Sequence, residues 1–100
     1  MPTYEELVED LLARNADVQA TKMMGMPSLK ANGKLFAGRT GDDMVFKLGA
    51  DDHARALALK GAHLFEPMEG RPMKEWVVVP HAHSAEWPGF ADAALRYAGG

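Results

Sequence analysis

Residues 28–38 read SLKANGKLFAG, two short extended runs on either side of an Asn-Gly pair. Asn32 and Gly33 both tolerate a positive φ, which the two-residue turn of a β-hairpin requires. The stretch therefore predicts two antiparallel strands joined by a tight turn. It points to the fold class because strands joined in this way build an antiparallel sheet, whereas parallel strands need a long crossover.

The extended pattern continues beyond the hairpin. Residues 41–43, GDD, are typical of a turn, and the following MVFKLG predicts a third strand. Alternation along this strand places Met44, Phe46 and Leu48 on one face and the residues between them on the other.

A first helix is predicted ahead of the strands. Thr3 and Glu6 have the spacing of a capping box. The apolar residues that follow recur with the helical period and are Tyr4, Leu7, Val8, Leu11 and Leu12.

Two more helices are predicted in the second half of the chain. ADDHARALALKG, from residue 50, reads as a helix capped by Asp51 or Asp52, with an apolar face and a terminating glycine. That apolar face consists of Ala54, Leu57 and Ala58. The C-terminal helix begins at Ser84 or, since Pro88 prefers the first helical turn, at Trp87. Its apolar face consists of Trp87, Phe90, Ala91, Ala94 and Leu95.

Between these two helices, HLFEP and MKEWVVVP predict two further strands around a MEGRP connection. The predicted order is α-β3-α-β2-α over residues 1–100, in one domain. Its class is α+β, a two-layer arrangement with helices on one face of an antiparallel sheet.

Composition narrows the functional classes. The chain has 100 residues, a net charge of −3 and no cysteine, which leaves no disulfide, thiol nucleophile or thiolate metal site. The acidic start MPTYEELVEDLL lacks the basic and apolar segments of a signal peptide. No apolar run reaches the length of about 20 residues that a membrane span needs. We therefore expect a cytoplasmic protein that binds no membrane.

Three segments resemble the N-terminal domain family of TfoX/Sxy competence regulators. They are MMGMPSLKANGKLFAG, GDDMVFKL and FEPMEGRPMKEWVVVP, and the resemblance covers Met23 to Tyr97. It implies a bacterial regulatory domain with the secretion-chaperone-like fold. The family also resembles the small MmcQ/YjbR-type proteins. Full-length TfoX-like regulators carry a second, C-terminal domain, and we expect this chain to be a stand-alone, single-domain member of the family.

The segment GRPMK raises the question of an anion site. Arg71 and Lys74 offer positive charge beside Gly70. A phosphate loop, however, normally leads into a helix N-terminus, and this segment leads into a strand. We therefore interpret GRPMK as a turn with Pro72 at strand entry, and keep a small anion site beside Arg71 and Lys74 as an alternative.

Lys74, Trp76 and Val78 fall on one face of the last strand. The combination of Trp76 with Lys74 predicts that this face is half exposed. It also suggests an interface, since interfaces are enriched in Trp. We predict an interaction surface for an unidentified protein partner or for a second copy in a homodimer. Its residues are Lys30, Lys47, Arg71, Lys74 and Trp76.

Direct nucleic-acid binding is the alternative from another class. Lys30, Lys34, Arg39 and Lys47 lie on neighbouring predicted strands. Exposed aromatic residues for base stacking are sparse, and the net charge is negative, so we favour the protein partner.

No residues point to catalysis. Asp42 and Asp43 lie in a turn without a nucleophile beside them, and His63, His81 and His83 lack a metal-binding spacing. We therefore expect a non-enzymatic domain without a catalytic residue, cofactor or metal.

Overall fold

The computed structural model describes residues 3–23, 25–68 and 70–99. Its helices are α1 (Tyr4–Arg14), α2 (Ala50–Leu57) and α3 (Trp87–Gly99), with a 3-10 helix at His81–Glu86 that leads into α3. Its strands are β1 (Val18–Met23), β2 (Met26–Ala31), β3 (Lys34–Thr40), β4 (Asp43–Lys47), β5 (His63–Met68) and β6 (Arg71–Val79).

The six strands form one antiparallel sheet in the order β1-β2-β3-β4-β6-β5. All three helices pack on the same face: α1 lies mainly against β1, α3 against β3 and β4, and α2 against β6. The predicted class, a two-layer α+β domain with an antiparallel sheet, is confirmed.

The predicted number of strands is wrong, because four strands precede α2 instead of three. The additional strand, β1, lies at the edge of the sheet. Val18 is buried, whereas Gln19, Ala20 and Lys22 are exposed. An edge strand with so little buried surface has no apolar alternation by which its sequence could be detected.

The Asn-Gly turn forms as predicted. Ala31 faces Lys34 across it, and φ is 52° at Asn32 and 80° at Gly33. Both central residues are therefore left-handed, as in the turns whose twist matches that of antiparallel strands.

A β-bulge interrupts the β2–β3 pairing. Leu29 faces Ala37, while the next residue, Lys30, faces Leu35, which leaves Phe36 as the extra residue on β3. Phe36 and Ala37 are consecutive and both buried in the core beneath the helices. The bulge thus lets one strand give two adjacent side chains to the same core.

The main core lies between the sheet and the helices. The rings of Phe46 on β4 and Phe90 on α3 pack with their centroids 6.1 Å apart. Trp87, at the start of α3, is buried, and its indole N–H donates to the carbonyl of Val79 at 3.1 Å. The start of α3 at Trp87, one of the two predicted positions, is thus confirmed.

The predicted apolar face of α2 is wrong. Ala56 is the helix residue buried against the sheet, whereas Ala54 and Leu57 are exposed. Neither predicted aspartate caps the helix, since its N-cap is Gly49 without a side-chain hydrogen bond. With eight residues, the helix is too short for a period to distinguish one apolar stripe from its neighbour.

Among the described residues, no helix is both long and apolar enough to cross a membrane.

Candidate interaction surface

The sheet face opposite the helices, called the open face below, has an apolar cluster of its own. Val45, Phe65, Trp76 and Val78 are buried in this cluster. The partly buried side chains packed against them are those of Met26, Leu35 and Met73. Every one of these residues belongs to a strand, so the sheet residues bury one another without a helix to cover them.

Gly38 allows this cluster to close. A Cβ atom at Gly38 would lie 2.8 Å from the Cε of Met26 and 3.3 Å from the carbonyl oxygen of Pro27. The terminal methyl of Met26 therefore packs against Gly38 so closely that it would have to move to admit a Cβ. The hydroxyl of Ser28, also buried there, donates to the carbonyl of Met26 at 3.1 Å.

Two of the predicted lysines, Lys30 and Lys47, lie on the open face, as the burial of their sequence neighbours in the main core shows. Leu29 and Ala31 flank Lys30 and point towards the helices, and Phe46 and Leu48 do the same on either side of Lys47. Alternation turns both lysines to the opposite side. Both side chains are partly buried.

Lys74 joins Lys47 around a groove near the β5 edge. The groove has a volume of about 350 Å³ and is lined by Lys47, Met73, Lys74, Glu75 and Trp76. Lys47 faces Trp76 directly across the β4–β6 pair. Lys74 is exposed, and its backbone carbonyl contacts Nε2 of His53 at 2.7 Å, which ties this part of β6 to α2.

The prediction that Trp76 is half exposed is wrong. Its side chain is 5% exposed and forms part of the apolar cluster. Trp76 therefore stabilises the floor of the groove and offers little ring surface to a partner. Arg71 lies in β6, but its side chain is outside the described part of the chain, so the predicted anion site beside it is not located.

The open-face lysines are not engaged in the described ion pairs. Among the described residues, ion pairs involve Arg14, Arg39 and Arg55, and none involves Lys30, Lys47 or Lys74. An ammonium group without an ion pair to a described carboxylate can attract an anionic partner without first breaking a described salt bridge.

Arg39, proposed as part of a nucleic-acid surface, faces the other way. Its guanidinium lies 3.3 Å from the carboxylate of Glu5 on α1, and it also donates to the carbonyl of Gly41 at 2.9 Å. The structure thus separates Arg39 from Lys30 and Lys47, although all three lie on neighbouring strands.

A second concave site lies at the N-terminus of α1. It measures about 210 Å³ and is lined by Thr3, Tyr4, Glu5, Arg39, Asp42, His81 and Trp87. Burial raises the pKa of the Tyr4 hydroxyl, and the nearby Arg39 opposes part of that increase. No motif indicates this site in the sequence, because its residues come from three distant segments that only the fold brings together.

The side chains of His63 and His83 contact backbone carbonyl groups. Nε2 of His83 lies 2.9 Å from the carbonyl of Lys60, and Nδ1 of His63 lies 3.0 Å from that of Leu64. In the described ranges, no three His, Asp or Glu side chains come close enough together to hold a metal ion.

Comparison of the chain with protein-family models, with curated proteins and with solved structures gives no match.

Proposed function

We propose that this chain is a small, non-enzymatic interaction domain of cytoplasmic bacterial origin, similar to the N-terminal domain of TfoX-type regulators, whose open face binds an acidic segment of a protein partner. The observation that carries the proposal is the groove in which Lys47 and Lys74 flank the apolar side chains of Met73 and Trp76.

The distribution of charge between the layers supports an acidic partner. The six strands contain seven Lys or Arg and three Asp or Glu. The helices, including the 3-10 helix, contain three Lys or Arg and eight Asp or Glu. The strand cations are Lys22, Lys30, Lys34, Arg39, Lys47, Arg71 and Lys74. A chain with a net charge of −3 thus has its positive charge concentrated in the sheet. Complementary potentials of this kind steer association and select the partner.

A protein fits the groove better than a nucleic acid does. Single-stranded nucleic acids are commonly held by aromatic side chains on which bases stack, and Trp76 is too deeply buried for that role. Partly exposed methionines such as Met26 and Met73 adapt to apolar side chains, and lysines beside them pair with carboxylates.

The test uses a fluorescein-labelled deca-glutamate peptide as the probe and fluorescence anisotropy as the readout. We expect binding at low ionic strength that weakens with added salt, because the contacts are between charges at the protein surface, which dissolved ions screen. The double variant Lys47→Glu/Lys74→Glu should weaken binding by about tenfold or more, which corresponds to about 1.4 kcal/mol.

Lys60→Glu is the matched control. Lys60 is exposed and follows α2, outside the groove lining, and Lys60→Glu makes the same charge change as each of the single variants Lys47→Glu and Lys74→Glu, which are measured beside the double variant. Single variants that weaken binding no more than Lys60→Glu does would reject the open face as the site. A labelled DNA duplex runs beside the peptide, and tighter binding of the duplex through the same two lysines would replace the protein partner with a nucleic acid.

A further inference from the structure

The edge of the sheet at β1 is open and regular. The sheet order puts β1 at one edge and β5 at the other. β1 pairs with β2 along its whole length, from Val18 opposite Ala31 to Met23 opposite Met26, without a register shift. An edge strand of this kind presents a row of unpaired backbone N–H and C=O groups on its outer side.

The hairpin geometry identifies which groups point outwards. A two-residue hairpin is closed by a hydrogen-bonded pair, here Met23 and Met26, and such pairs recur at every second residue. The N–H and C=O groups of Ala20 and Lys22 therefore point away from β2. Pro27, which faces Lys22 and has no N–H, suits a pair that is not hydrogen bonded.

These outward groups have no partner among the described residues. The backbone hydrogen bonds outside the strand pairs include one from the N–H of Val18 to the carbonyl of Asn15 at 3.3 Å, and none from or to Ala20 or Lys22. β1 contains no proline or glycine, and Lys22 is its only charged residue, so the backbone of the strand can pair with a further strand.

The opposite edge is protected. β5 contains Pro67, which cannot donate a backbone hydrogen bond, and its pairing with β6 shifts register on both sides of Phe65. A β1 edge that met a β5 edge would also build an open chain of molecules, whereas β1 meeting β1 closes on itself as a two-fold dimer.

We propose that β1 pairs antiparallel with β1 of a second copy of this chain, which joins the two six-stranded sheets across a two-fold axis. With Thr21 on the axis, Ala20 of each chain faces Lys22 of the other and exchanges both backbone hydrogen bonds with it. Each Lys22 side chain then lies opposite a methyl group and not opposite the other ammonium group. The two Thr21 side chains meet as a cross-strand pair.

Residue-resolved amide hydrogen exchange tests the pairing without a mutation. In the monomer, the amides of Ala20 and Lys22 are unprotected, whereas those of Gln19 and Thr21 are bonded to β2. We expect the protection of Ala20 and Lys22 to rise with protein concentration, together with an increase in the scattering mass from 10.9 kDa to about twice that value. A monomeric mass at every accessible concentration would overturn the proposal.

Ala20→Pro removes one outward N–H and should abolish the dimer, while Ala20→Val keeps the N–H and should leave it intact. Far-UV circular dichroism establishes that each variant is folded. A folded Ala20→Pro variant that still dimerises would show that the contact lies elsewhere. If Ala20→Pro does not fold, the exchange experiment on the unmodified chain decides the question.

Disulfide trapping gives the register. The chain has no cysteine, so a single introduced thiol reports without background. Thr21→Cys should oxidise to a linked dimer at least tenfold faster than Leu57→Cys, although Leu57 is the more exposed of the two positions and lies on α2. Equal rates would contradict the proposed axis. The Lys47→Glu/Lys74→Glu variant should dimerise normally, so the dimer and the binding of acidic partners can each fail without the other.

Discussion

Gly38 shows how a single residue controls the open face. The position is buried within β3, and the Cε of Met26 lies 2.8 Å from where a Cβ would be. A larger residue would have to displace the methyl end of Met26, which packs against the apolar cluster of the open face.

We expect Gly38→Ala to destabilise the fold by about 1 kcal/mol, the low end of the cost of overpacking, because the nearest atom is the movable methyl of Met26. Urea denaturation measures the effect. In a Met26→Ala background the same change should cost less, because the atom 2.8 Å from the new Cβ is gone. Equal costs in both backgrounds would mean that the clash with Met26 is not the cause.

Tyr97 carries a pH-dependent contact between α3 and β6. Its hydroxyl donates to the carboxylate of Glu75, and this hydrogen bond, together with the negative charge of Glu75, raises the pKa of Tyr97 above its ordinary value of 10.0. Because the neutral phenol is favoured in the folded state, the contact stabilises the fold below pH 10 and is lost as pH rises through the raised pKa.

Ultraviolet absorbance of the phenolate tests this contact. The chain has two tyrosines, and burial raises the pKa of the other, Tyr4. We expect Glu75→Gln to lower the pKa of Tyr97 towards 10.0 and to leave the Tyr4 titration unchanged. A titration curve identical to that of the unmodified chain would show that the hydrogen bond is absent in solution.

At the scale of the element, α1 illustrates what local sequence encodes. The backbone N–H of Glu6 donates to the hydroxyl of Thr3 at 3.2 Å, so half of the predicted capping box forms as expected. The hydroxyl of Thr3 in turn donates to the carboxylate of Glu6. Of the predicted apolar stripe, Leu7 and Leu11 are buried and Leu12 is exposed.

The second helix, α2, differs because its orientation depends on packing. Arg55 lies over the ring of Phe90, with its guanidinium carbon 5.4 Å from the ring centroid, and Ala56 faces the sheet. Its larger apolar side chain, Leu57, is 37% exposed. An alanine fits the narrow space between α2 and the sheet where a leucine would not.

A pair of substitutions distinguishes the two orientations of α2. Ala56→Leu should destabilise the fold by about 1–3 kcal/mol, because it adds volume to a filled space. Leu57→Lys should change the free energy of unfolding by no more than about 0.5 kcal/mol, as at other surface positions. Thermal or urea unfolding measures both, and the reverse ranking would restore the face expected from the sequence.

At the scale of the whole molecule, the sheet has a buried apolar layer on each side. A sheet covered by helices on one face often has a solvated second face. Here Val45 on the open face and Val79 beneath the helices are both fully buried. The stability of the molecule therefore depends on both faces.

Val45→Ala should cost about as much as Val79→Ala, within a range of about 1.5–3 kcal/mol for each buried valine. Lys34→Ala, at an exposed strand position, serves as the reference for a substitution that removes no buried surface. If Val45→Ala behaved like Lys34→Ala in urea denaturation, the open face would be solvated and not packed.

Local signals in the chain were sufficient for the fold class and for most of its elements. The Asn32-Gly33 turn, the cap at Thr3 and the alternation of Met44, Phe46 and Leu48 depend on φ preferences and on side-chain periods that neighbouring residues share. Such signals do not need the rest of the molecule. Alternation along β4 also put Lys47 on the face opposite Met44, Phe46 and Leu48, where the structure has it, since strand alternation is a local property.

Only the tertiary structure decided the edge strand β1, the burial of Trp76 and the separation of Arg39 from the open-face lysines. Each depends on which strands are neighbours and on how side chains distant in sequence cover one another. Trp76 has the same alternation whether Met26, Leu35 and Met73 lie near it or not, so its sequence context cannot report its burial. The physical reason is that exposure is a property of the packed sheet, whereas turn and strand preferences belong to the residues themselves.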